Sequence, residues 1–113
     1  MITKDLLLAS DEDIAWEEIS PKIRRKIMSY SNEMMMVKVA FEAGGVGSMH
    51  QHPHLQMSYV ASGVFKLTIG QESKILKEGD VYFVPFNVLH EAICLEKGML
   101  IDVFNPMRED LIK

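Results

Sequence analysis

The residues in this chain best suited to chemistry are its four histidines, and all four fall into one pattern. His50, His52 and His54 crowd a five-residue stretch, and His90 follows a Gly79/Pro85 scaffold. Imidazole is the commonest protein ligand for divalent transition metals. Two imidazoles at i and i+2 of a strand point to the same side, so the spacing of His50 and His52 suits shared ligation, with His90 as a third donor. A neutral imidazole also needs its second nitrogen held by a partner. His54 has the same parity, but Pro53 interrupts the strand between them. It reads as a rim residue, with ligation as the alternative.

Asp102 is the second residue of interest. It interrupts the otherwise apolar run Met99-Leu100-Ile101-Asp102-Val103-Phe104. A buried carboxylate is costly unless paired or hydrogen-bonded, so Asp102 either faces water or serves a purpose inside. Phe104 lies two residues on and shares its face. If that face lines a cavity, an acid/base group and an apolar wall sit together. Arg108 follows in a loop beside Glu109 and Asp110; a guanidinium is the preferred bidentate partner for a carboxylate ligand. Arg24 and Arg25 are further possible carboxylate partners.

The elements that must position these groups read as strands. From about Lys22 onward, apolar runs alternate with turn signals at the spacing of sandwiches and barrels. The expected strands are 25–30, 34–42, 56–62, 64–69, 72–76, 81–84, 91–95 and 99–104. Turns are expected at Ser31-Asn32, Gly44-Gly45, Ser62-Gly63, Gly70-Gln71, Gly79-Asp80, Pro85-Asn87 and Lys97-Gly98. Gly63 and Gly70 should bracket a hairpin in which Phe65, Leu67 and Ile69 share a face. Residues 12–19 suggest a short helical turn capped by Asp11 or Asp13. The Met34-Met35-Met36 run reads as core and interface packing. Many short strands in a small chain favour a closed barrel or jelly roll, which manages exposed strand edges and can hold one ligand in its mouth.

Bulk properties narrow the partners. The chain has 113 residues, enough for one domain spanning 1–113, and a net charge of -4 with no basic run. That balance argues against nucleic acid or a membrane surface. The single cysteine, Cys94, leaves no internal disulfide and suits a reducing compartment. No basic region precedes a full apolar stretch at the N-terminus, so a cytoplasmic location is expected.

Taken together, Gly44, His50, His52, Gln56 and Gly63 (44–63), followed by Gly79, Pro85, Asn87, His90 and Cys94 (79–94), resemble the two motifs of the cupin superfamily. The first motif keeps every spacing. In the second, Asn87 stands where the family has a turn glycine and Cys94 where it has asparagine. Gln56 stands where most cupins carry a glutamate ligand. The fold this implies is all-β: a cupin double-stranded β-helix, or jelly-roll barrel, with a short N-terminal helical turn.

The Trp16-Glu17-Glu18 and Arg24–Ile27 segments, His-x-His-Pro-His with its Gln, and the tail from Asp102 to Asp110 resemble the pectin-degradation cupins nearly end to end. That resemblance implies one divalent transition metal (Ni, Zn, Mn, Fe or Co) held by His50, His52, Gln56 and His90. It also implies site roles for Asp102, Phe104 and Arg108. The implied activity is non-redox ring opening of 4,5-unsaturated monouronates, small anionic sugar acids from pectin or alginate, to the linear 4-deoxy-5-keto-uronate. A homodimer paired through outer strands is implied too. Two other readings stand beside it: a small Fe(II)-dependent cupin oxygenase, and a non-catalytic sugar-binding or sensory cupin.

Overall fold

A computed structural model describes residues 3–112. Eight strands follow in order: β1 (Glu17–Ser20), β2 (Ile23–Tyr30), β3 (Met35–Phe41), β4 (Val46–His50), β5 (Leu55–Ile69), β6 (Glu72–Lys77), β7 (Val81–Val84) and β8 (His90–Asn105). The only helical elements among the described residues are two three-residue 3-10 turns, Asp11–Asp13 and Glu109–Leu111. All pairings between these strands are antiparallel. The expected all-β jelly roll is what forms.

Two long strands hold it together. The second half of β8 lies between β3 and the first half of β5, which also pairs with β7. The first half of β8 lies between β4 and the second half of β5, which pairs with β6. So β5 and β8 each serve both layers of the sandwich, and they change layer together. At that point Gly63 has φ +83, and a Cβ on it would lie 2.6 Å from Glu96 O and Gly98 Cα. The backbones of β5 and β8 pass too closely there for any side chain.

This corrects several expectations. Ser62-Gly63 and Lys97-Gly98 are irregular crossings inside continuous strands, not turns, because bulged pairing bends a strand without ending it. The hairpin around Gly70 pairs residues 64–69 with Glu72–Lys77, so Gly63 and Gly70 do bracket its first arm, and Phe65 and Leu67 are buried on one face as expected. Residues 12–19 form no helical turn beyond Asp13; Glu17–Ser20 pairs with β2 instead. β4 was not foreseen, since Gly47 and Ser48 carry little strand signal. Asn87 does take a left-handed φ of 58, which asparagine tolerates in a glycine's place.

The layers enclose two buried clusters. Phe41, Val60, Phe65, Leu67, Leu76, Tyr82, Val84, Cys94 and Leu100 form the larger, with Phe41 edge-on to Phe65 at 5.1 Å. Tyr30, Met35, Val37 and Phe104 form the smaller. Met35 is buried while Met34 and Met36 are exposed, so the methionine run splits between core and outer face by simple alternation. Cys94 is buried, and its thiol donates to Glu96 O at 3.1 Å.

Candidate metal and acid site

Strand register places the site in inward-facing rows. One row runs Val37, Asp102, Ser58 and Tyr82 across β3, β8, β5 and β7. The next runs Met35, Phe104, Gln56 and Val84 across the same strands. Phe104 and Asp102 thus share a face, and that face is interior: both are buried. The solvent-face alternative for Asp102 is excluded.

The histidines converge from β4, the loop after it, and the start of β8. His50 pairs across from His90, and His52 lies just beyond the end of β4 rather than on it. One ring nitrogen from each of His50, His52 and His90 lies within 4.8 Å of the others. His50 Nδ1 donates to Ser48 O at 2.6 Å and His90 Nδ1 to Val88 O at 2.9 Å. In the neutral ring this leaves Nε2 of each as a lone-pair donor. His90 Nε2 is buried with no partner, and so is His52 Nδ1. Burial, with the nearby Arg108 charge, pushes the His52 pKa down to about 4, and burial also lowers that of His90. Both therefore stay neutral near pH 7, the form that binds metal.

Gln56 lies beside the cluster. Its Oε1 lies 3.1 Å from His52 Nε2. Three imidazoles with an amide oxygen beside them, and His90 Nε2 buried without a partner, fit a divalent transition metal. His54 lies outside: its ring is edge-on to His52, and it lines a separate depression with Pro53, Met107 and Asp110.

Buried hydrogen bonds continue from Gln56. Its Nε2 donates to Ser58 Oγ at 2.9 Å, and Ser58 Oγ donates to Asp102 Oδ1 at 2.6 Å. Burial raises the Asp102 pKa to about 6, opposed by the Ser58 bond and the Arg108 charge. The Tyr82 hydroxyl adjoins Ser58 and Gln56 and is pushed upward by burial and by Asp102, so it remains protonated.

A cavity of about 460 Å3 opens onto both groups; its walls include His50, Gln56, His90, Asp102, Phe104 and Arg108. Phe104 stands edge-on to His52 at 5.6 Å. Arg108 is no free surface residue: it lies over the Phe104 ring at 5.2 Å and grips Asp110 through Nε (3.3 Å) and Nη2 (2.7 Å). The structure also separates the other two arginines. Arg25 lines the cavity and spends only Nε on Glu17, at 2.8 Å, whereas Arg24 stacks on Trp16 away from it. Ser58 and Tyr82 were missed by sequence reasoning. The signal available was parity, since Ser58 sits two residues from Gln56 in an alternating strand.

Comparison with known proteins agrees with this fold. Residues 37–104 match the cupin domain family. The chain is 43% identical over 104 residues to the pectin degradation protein KdgF of Dickeya dadantii, covering 90% of this chain and 94% of that protein. Among solved structures, KdgF from Halomonas sp. superposes with a TM-score of 0.89 at 35% identity, covering 92% of this chain and 98% of the other. An RmlC-like cupin from Shewanella frigidimarina gives 0.90 at 38% identity, covering 93% and 95%.

Proposed function

From the premise that this chain belongs to the cupin family, among the homologues of the pectin degradation protein KdgF, we propose that it opens 4,5-unsaturated monouronates to the linear 4-deoxy-5-keto-uronate. The observation carrying this reading is the placement of a buried carboxylate, Asp102, on the same cavity wall as a three-histidine cluster.

The reaction is an isomerisation without redox change. The bond between the anomeric carbon and the ring oxygen breaks, the anomeric hydroxyl proton leaves to the base, and an aldehyde and an enolate remain. The same proton then adds at carbon four and the enolate becomes a ketone. His50, His52, Gln56 and His90 would hold one divalent metal, whose positive charge polarises substrate oxygens. Asp102, with a pKa near 6, takes the hydroxyl proton as carboxylate and returns it to carbon four. Phe104 walls the ring and, with the surrounding apolar lining, excludes water. Arg108, oriented by Asp110, faces the substrate carboxylate, and Arg25 adds a second cation on the cavity wall.

The test is loss of the ultraviolet absorbance of the unsaturated monouronate's double bond. Metal-loaded protein should accelerate it and a chelator should stop it; tight uronate binding with no absorbance loss would instead assign a binding cupin.

We also propose a homodimer through the outer sheet face. There Met36, Val103, Met57 and Phe83 form one register row, and all but the half-buried Val103 are exposed. A second copy covers such a row without charged partners. Met57→Asp should convert a dimer to a monomer in sedimentation; a wild-type monomer at micromolar concentration rules this out. The protein's expected compartment is the cytoplasm, and none of the described helices is long and apolar enough to cross a membrane.

A further inference from the structure

The bonds linking Gln56, Ser58 and Asp102 can run in only one direction. A serine hydroxyl has one hydrogen to give, and an ionised carboxylate can only accept. Ser58 therefore gives its hydrogen to Asp102 Oδ1, at 2.6 Å, and its oxygen is left to accept. The group facing that oxygen at 2.9 Å is the Gln56 amide nitrogen. Once the amide nitrogen is committed to Ser58, the carbonyl oxygen must point the other way, toward His52. All three side chains are at least nine-tenths buried, so water does not compete for these bonds.

A glutamate at position 56 could not take this place. It has no hydrogen for Ser58, and the single hydroxyl proton would stand between two carboxylates, leaving one acceptor against another in a buried setting.

We propose that Ser58 is a positioning residue that turns the Gln56 carbonyl oxygen toward the histidine cluster, and that together with Asp102 it requires an amide rather than a carboxylate at position 56. This rests on the metal site alone, not on the uronate reaction, so a failed turnover assay leaves it untouched.

The experiment is a double-mutant cycle read as Zn2+ affinity by competition with a chromophoric chelator. Ser58→Ala should weaken Zn2+ binding by about tenfold to a hundredfold, the usual effect of losing a group that orients a ligand. In a Gln56→Glu background the same change should matter little, because a carboxylate offers an oxygen on either side and needs no turning. Ser58→Cys, close in size but a poor acceptor, serves if the alanine variant does not fold and should weaken binding in the same way. Unchanged affinity in both Ser58 variants overturns the proposal. Equal losses with Gln and Glu at position 56 also overturn it, because Ser58 would then act only through general packing.

Discussion

The two ends of the site are built by opposite means. At the metal end, His50 and His90 each have Nδ1 held by the carbonyl two residues earlier, at Ser48 and Val88. These are local contacts, complete within a tripeptide. At the acid end, Ser58 reaches Asp102 across 44 positions of sequence, and the bond exists only because β5 and β8 pair in one register. A one-residue slip would turn Asp102 outward and Val103 inward. Short-range geometry orients the rings of His50 and His90; long-range register sets the acid.

That contrast can be broken from either side. The largest effect is expected from His90→Ala, which removes a ligand. Bound metal measured by elemental analysis should fall to background and turnover with it, while the protein still folds because its acid-end bonds remain. Retention of stoichiometric metal would contradict the assignment.

Asp102→Asn should spare the metal content and lower kcat by about 10²- to 10⁴-fold, the range typical of a lost acid/base group. It should also erase the acidic limb of the pH–rate profile, where kcat/KM of the wild type falls below about pH 6 as the carboxylate is protonated. Stability should move the other way. The folded-state pKa is raised from 3.8 to about 6, so across that window the native protein holds a proton that the unfolded chain has released. Stability therefore falls as pH rises through the window, by on the order of 3 kcal/mol, and stays lower above it. Asparagine still accepts from Ser58 and carries no charge. The variant should show a higher denaturation midpoint than wild type at pH 7 and a similar one at pH 3.5.

The smallest effect tests neither end. Arg25→Met should raise KM for the uronate by about tenfold with kcat little changed, as expected when a charged hydrogen-bond partner of about 1.5 kcal/mol is lost from ground and transition states alike. Equal losses in kcat and kcat/KM would move Arg25 into the chemistry.

The same contrast explains what could be read without coordinates. The histidine cluster was legible from its spacing, and Gly44 and Asn87, both at positive φ, mark the turns before β4 and β8. The jelly roll followed from strand spacing. Asp102 was conspicuous as a charge in an apolar run, and Phe104 came with it by parity. Ser58 was invisible as a partner because nothing local links it to residue 102. Arg108 reads as a possible carboxylate partner in a loop beside Glu109 and Asp110; it pairs with Asp110 while also facing the cavity. The crossings at Gly63 and Gly98 were misread as turns, since glycine marks a sharp bend and a close backbone approach with the same letter.

Those crossings have a dynamic consequence. Gln56, Ser58, His90 and Asp102 all ride on β5 and β8, and the two strands are pinned to each other where Gly63 meets Gly98. Loosening that pin frees both layers at once. The site then has no graded decline on warming: ligands and acid belong to one cooperative opening unit, and amides on either side of the crossing should exchange with solvent deuterium at a common rate.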